Sequence, residues 1–168
     1  MSGPARATAI GRWGAALLRN RALMRAPILL YRARLGFLLG SRLLMLEHLG
    51  RNSGVVRHVV LEVIGHPAPD VYVIASGFGE RAQWYRNLMA NPRVRISVAG
   101  HNTAPATARR LPTAEADSAL ADYARRHPRA WAKFKNVLEN TLGITISEQD
   151  TALPVLELRL DPRTPVPS

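Results

Sequence analysis

Leu43-Leu44-Met45-Leu46-Glu47-His48-Leu49-Gly50-Arg51-Asn52-Ser53-Gly54-Val55-Val56-Arg57-His58-Val59-Val60-Leu61-Glu62-Val63-Ile64 is the stretch on which the fold turns. Arg42 to Leu49 reads as a strand, and Val55 to Ile64 is β-branched and strand-like. Between them lies a five-residue turn, Gly50 to Gly54, with a glycine at each end.

Beyond this pair, Pro67-Ala68-Pro69-Asp70 predicts a turn and Val71 to Ser76 another short strand. Gly77 to Arg81 is a glycine-containing loop, and Gln83 to Ala90 suits a short helix stopped by Asn91-Pro92. In Arg93 to Val98, Val94, Ile96 and Val98 alternate with Arg95 and Ser97, the pattern of a half-buried strand. Gly100-His101-Asn102 turns it into a partner at Thr103 to Arg110. Thr113 is expected to cap a helix with Glu115 and Asp117 early and Arg125 and Arg126 late, matching the helix dipole. A further helix is expected over Arg129 to Leu142, then polar loop over 143–152. Leu156, Leu158 and Leu160 alternate with Glu157 and Arg159 as a closing strand. About six short strands, joined mostly by hairpin-length turns, predict a small, mostly antiparallel α+β barrel. A doubly wound parallel sheet is disfavoured because strand–helix alternation is not sustained.

The chain has 168 residues, enough for one hydrophobic core, and no cysteine, which removes disulfides and thiolate chemistry. Its formal charge of +11 is unevenly placed. Eight arginines and no acid precede Glu47, so the first 46 residues carry +8 and the rest only +3. Such a distribution argues against a nucleic-acid-binding body, because the basic arm lacks interleaved aromatic platforms. Three regions are expected: a basic N-terminal arm with amphipathic helices over 1–40, a barrel over 41–162, and a flexible tail over 163–168. Within the arm, residues 1–12 read as disordered and Trp13 to Met24 as a helix, with a break at Pro27. Ile28, Tyr31, Leu35 and Leu38 then fall at helical spacing. That run is too short and too interrupted by Arg32 and Arg34 to span a bilayer, which takes about 20 apolar residues. It fits either packing on the barrel or peripheral contact with the inner face of the cell membrane, in an otherwise cytoplasmic protein.

Two constellations invite a chemical reading. Gly77-Phe78-Gly79-Glu80-Arg81-Ala82 matches a dinucleotide-binding fingerprint, but no acid ends the following strand and no second βαβ unit follows. The five histidines show no metal-ligand spacing and no nucleophile elbow is present. Gly50 to Gly54 is either a solvated turn or an anion nest, in which backbone N–H groups converge beside Arg51, Ser53 and Arg57. Trp84 and Leu88 share a helical face that suits the core, whereas Tyr85 and Arg86 are less simply explained.

Together these residues resemble the deazaflavin (F420)-dependent nitroreductase family. The likeness runs through Leu43 to Gly54, Val73-Ile74-Ala75-Ser76-Gly77-Phe78-Gly79, and Leu153 to Leu158; its most specific part is Trp84-Tyr85-Arg86-Asn87-Leu88-Met89-Ala90-Asn91-Pro92. The resemblance implies a split β-barrel of the FMN-binding type, and hydride transfer from reduced coenzyme F420 to a quinone or nitroaromatic acceptor. It places Arg51, Asn52, Ser53 and Arg57 around the cofactor phosphate and Ala75, Ser76, Gly77, Phe78 and Gly79 along the deazaflavin ring. Trp84, Tyr85 and Leu88 would support the pocket, and no catalytic acid is identified. Alternatives within the same fold are FMN or FAD as cofactor, or a carrier of a cofactor or lipid without turnover. Asn52 and Met89 stand where the family commonly has cations, with Arg81 or Arg86 as candidate substitutes. Phe78 makes the ring wall bulkier, and Trp131 or Phe134 is left to fill the substrate wall.

Overall fold

A computed structural model describes residues 42–99, 101–143, 145–147 and 149–162; the expected arm over 1–40 and tail over 163–168 lie outside them. Six strands close into a barrel: β1 (Leu43–Leu49), β2 (Val56–Ala68), β3 (Val71–Ala75), β4 (Arg93–Val98), β5 (His101–Arg110) and β6 (Val155–Leu160). Their order around the barrel is β1-β2-β3-β6-β5-β4, and every pairing is antiparallel. Among the described residues the helices are α1 (Gln83–Ala90), α2 (Thr113–Arg126) and α3 (Pro128–Leu142), with a short 3-10 turn at Gly79–Arg81. The expected α+β antiparallel barrel is therefore the architecture found.

Alternation along the strands divides the molecule into two cores. Inward-facing Leu44, Leu46, Ile74, Ile96, Leu156 and Leu158 are completely buried inside the barrel, joined by Tyr85 and Leu88 of α1. Each such aliphatic side chain contributes about 1.5–3 kcal/mol of burial free energy. The opposite faces of β2, β3 and β6 present Ile64, Val73 and Val155 to α2 and α3, where Leu120, Tyr123 and Trp131 complete the second core. Trp131 lies 6.4 Å from Tyr123 and 5.9 Å from Phe134, ring to ring. Trp131 is thus packed inside the helical layer.

Several boundaries differ from the sequence reading for local reasons. β2 runs on through Pro67, leaving Pro69-Asp70 as the turn; register shifts on either side of Gly65 interrupt the ladder, so a proline without an N–H is tolerated. Glycine suits this position, since a Cβ at Gly65 would come 3.3 Å from the Cβ of Val73, closer than ordinary van der Waals contact. Thr113 is the first residue of α2 rather than its cap; Pro112 holds the cap position. Pro128 opens α3 from inside its first turn, and Gly143, at φ +67°, ends it in the left-handed conformation. The polar loop that follows is tied to α2 by Asp117, whose carboxylate accepts the amides of Asp150 and Thr151 at 2.8 and 2.9 Å.

A buried tyrosine ties the helical layer to the barrel wall. Tyr123, 2% exposed, donates its hydroxyl to Glu62 on β2 at 2.8 Å, and Glu62 also accepts from Arg42 at 3.1 Å. Burial first, and then the Glu62 carboxylate, push the Tyr123 phenol up to about 12. Tyr123→Phe is expected to lower unfolding stability by about 1 kcal/mol in urea titrations at neutral pH. Because the folded protein holds the phenolic proton more tightly than the unfolded chain, wild-type stability should decline as pH rises from 10 towards 12. The same decline should be smaller in the variant.

Candidate functional site

The turn between β1 and β2 spends two of its amides on its own closure. Gly50 N–H donates to Val55 O at 2.9 Å and Gly54 N–H to Gly50 O at 2.8 Å, with Gly54 at φ +64°, where a side chain would be strained. A third amide is taken by the neighbouring helix: Arg51 N–H donates to Asn87 Oδ1 at 3.1 Å. The amides of Asn52 and Ser53 have no backbone or side-chain acceptor among the described residues. A nest at this turn would therefore have only these two amides to offer, fewer than the sequence implies.

α1 fixes the turn in space. Arg51 Nη1 donates to Asn87 Oδ1 and to Gln83 Oε1, both at 3.0 Å, so the turn is clamped to the helix through backbone and side chain together. Asn87 is 3% exposed and its amide nitrogen lies 3.2 Å from Nδ1 of His48, itself 5% exposed. Gly50, Arg51, Asn52, Ser53, Arg57, Gln83 and Asn87 enclose a hollow of ≈ 320 Å³. Two guanidinium groups line it and no carboxylate does. Among the described residues Arg57 has no ion-pair partner. Two unclaimed amides, a hydroxyl and two cations suit a singly or doubly charged oxyanion.

The remaining sequence candidates lie outside this hollow. Ser76 is fully buried and closes the β3–α1 loop, donating Oγ to Gly79 O at 2.7 Å while accepting the Gly79 amide at 2.9 Å. That closure turns Phe78 outward, 55% exposed, beside Gly77 and Gly79; Ala75 ends β3. The apparent dinucleotide fingerprint is therefore a tight turn after an antiparallel strand. Trp84 packs partly against the barrel core, Tyr85 is 4% exposed, and Leu88 is fully buried with no surface left for a ligand. Arg81 and Arg86 do not line the hollow, and Arg86 Nε donates instead to Glu80 O at 3.1 Å.

Four residues were missed from the sequence. Gln83 and Asn87 orient Arg51, His48 supports Asn87, and Arg110 donates to Tyr85 Oη at 2.8 Å and to Glu80 at 2.7 Å. An asparagine on the apolar face of α1 was the one available signal, because a buried amide requires partners. The others depend on pairing across the fold.

A larger cavity of ≈ 600 Å³ lies between α2 and the β2–β3 edge. Its lining includes Glu115, Asp122 and Glu157 against one arginine, Arg126. Size favours that cavity for a bulky ligand, but its carboxylates oppose an anion. For anion binding the smaller, cationic hollow is the better site.

Residues 24–149 match the model of a family described as F420H(2)-dependent quinone reductase. No curated protein matches the chain. Among solved structures it is similar to a protein described as F420-H2 dependent reductase (FDR-A), with 20% identity over 70% of this chain and 94% of that one. At a TM-score of 0.49 that likeness carries no weight of its own. It is also similar to a structure described as a domain-swapped dimer, with 19% identity over 80% and 100% of the two chains and a TM-score of 0.51. HutZ, the heme storage protein of Vibrio cholerae, shares 14% identity over 78% and 89%, again at 0.51. At such identities these likenesses concern the fold alone.

A Cβ added at Gly50 would stand 2.7 Å from Ser53 Oγ and 3.0 Å from Arg57 Nε. Both are movable side-chain atoms, so Gly50→Ala should change stability by no more than about 1 kcal/mol in thermal melts. It should nevertheless displace the hydroxyl and the guanidinium, and weaken inorganic phosphate binding followed through the amide signals of Asn52 and Ser53. Unchanged phosphate binding would count against the hollow as the anion site.

Proposed function

We propose that this chain, which belongs to the F420H(2)-dependent quinone reductase family and is an oxidoreductase, holds the phosphate of coenzyme F420 in the Gly50–Gly54 hollow and reduces a quinone. The observation that carries this reading is the clamp of Arg51 onto Asn87 and Gln83 beside a cavity that two arginines and the two residues with unclaimed amides line and no carboxylate does. Arg57 and the amides of Asn52 and Ser53 would bind the phosphate oxygens. Ser53 would add its hydroxyl, and Arg51 a fixed charge. The bound deazaflavin supplies the hydride.

The protein's own contribution is then binding, orientation and exclusion of water. The closed turn at Ser76–Gly79 presents Gly77 and Gly79 with no side chain, and Phe78 as an exposed apolar face, so the ring would lie along this segment. Trp84 would support that segment from beneath, while Tyr85, braced by Arg110, and Leu88 act through the core. Asn52 does line the hollow, so the absence of a cation there removes one direct contact with a polyanionic tail. Met89 is 43% exposed and does not line it, so its neutrality affects only longer-range attraction. A nitroaromatic acceptor fits the same apolar ring face, and contact of the arm with a membrane would bring the barrel close to a lipid-soluble quinone.

Titrating F420 against the protein, with quenching of tryptophan fluorescence as the readout, tests the assignment. Arg51→Ala and Arg57→Ala should each weaken binding by about tenfold or more, the loss of a charge-assisted contact. Equal affinity in both variants and wild type would remove the hollow from the binding mode. Preferential binding of FMN or FAD would transfer the phosphate site to a flavin, and tight F420 binding without reduction of a quinone panel would favour a carrier.

A further inference from the structure

Asn87, at the wall of the hollow, and His48 behind it decide whether the hollow keeps its shape. Asn87 Oδ1 accepts from the Arg51 backbone N–H and from its guanidinium, and both of these can only donate. The Asn87 nitrogen therefore faces His48, 3.2 Å from Nδ1. An amide NH2 also only donates, so Nδ1 has to offer its lone pair and the ring proton belongs on Nε2. A proton on Nδ1 would set N–H against N–H in a buried site. Turning the Asn87 amide over would relieve that clash, but it would then face Arg51 with donors and lose both Arg51 bonds.

We infer that neutral His48 is a positioning residue for the anion-binding hollow: it fixes the Asn87 amide, which in turn holds Arg51, so that protonating His48 releases Arg51 from Asn87 and weakens anion binding. The inference rests on reading the hollow as the phosphate site and extends it to a dependence on pH.

The surroundings keep His48 uncharged. Arg57 faces it in register from β2, with His58 next along that strand. Arg93 and Arg95 of β4 line a small cavity with His48 and Glu47, while Arg51 lies on the far side of the Asn87 amide. α1 contributes the neutral Asn87. Glu47 is the one carboxylate in this group, and it is already engaged by His58 at 3.3 Å and Arg95 at 3.9 Å. Burial holds the imidazole below the ordinary value of 6.5; a backbone hydrogen bond at Leu49 opposes this, and His58 and Arg57 add to the lowering. The neutral form thus prevails at neutral pH, and both its stabilising contribution and the clamp are lost as pH falls from 6.5 through the lowered value.

The test uses the isotope-labelled full chain. Nitrogen NMR of unliganded wild type at pH 7.5 should show His48 with a bare Nδ1 and a proton on Nε2. The Arg51 amide should be protected from hydrogen exchange, and that protection should vanish in step with His48 protonation on acidification. In His48→Gln, a side-chain oxygen accepts from Asn87 without titrating, so protection should persist at acid pH. In Asn87→Asp, a carboxylate accepts from Arg51 and from a protonated His48 alike, so protection should again persist. F420 affinity should fall about tenfold across the His48 titration in wild type and less than about twofold in His48→Gln, whose comparison cancels titrations of the cofactor itself. A proton on Nδ1 at pH 7.5, or loss of Arg51 protection at the same pH in all three proteins, would overturn the inference. Arg51 protection that follows His48 in a protein that fails to bind F420 at any pH would uphold the positioning role and reject the F420 reading.

Discussion

The bond between the Asn87 side chain and the Arg51 amide decides what the β1–β2 turn can do. Without it, Gly50 to Gly54 is an exposed hairpin loop whose arginine is free to point into solvent. With it, the loop is tied to α1, and α1 is itself held by Leu88 and Tyr85 inside the barrel. The rigidity of a hydrophobic core is in this way carried out to a surface cavity through one buried amide. Because the amide has an accepting and a donating end, the chain of bonds from His48 to Arg51 has a direction, and each member constrains the next.

Charge then selects what the cavity holds. The hollow and the cavity beside α2 differ by less than a factor of two in volume, yet their charged groups are opposite: arginines alone around the turn, and three carboxylates against one arginine beside α2. Most of the formal positive charge precedes Glu47 in the sequence, so the hollow owes its character not to an excess of arginine but to local exclusion of acid. The acids of the body are largely occupied elsewhere, as in Glu62 with Arg42 and Tyr123, or Glu157 with Arg109 and Arg159.

Much of the barrel was legible in the sequence because strand alternation and glycine turns are local signals. Val94, Ile96 and Val98 turned one way and Arg95 the other, as their pattern indicates. The extension of β2 through Pro67 was not legible, since it depends on a bulge at Gly65 that forms only against Val73. The site followed the same division. Arg51, Asn52, Ser53 and Arg57 sit within seven residues of one another and could be grouped on sight, whereas Gln83 and Asn87 join them across more than thirty residues of chain. Tyr85 and Leu88 belong to the motif that signals the family, but their side chains serve the core.

A crystal structure of the protein with bound F420 tests the central claim most directly. The proposed binding mode predicts phosphate density within hydrogen-bonding distance of the Asn52 and Ser53 amides and the Arg57 guanidinium, with Arg51 still bonded to Asn87. Phosphate density in the carboxylate-lined cavity beside α2, or an empty Gly50–Gly54 hollow in a saturated crystal, would contradict it.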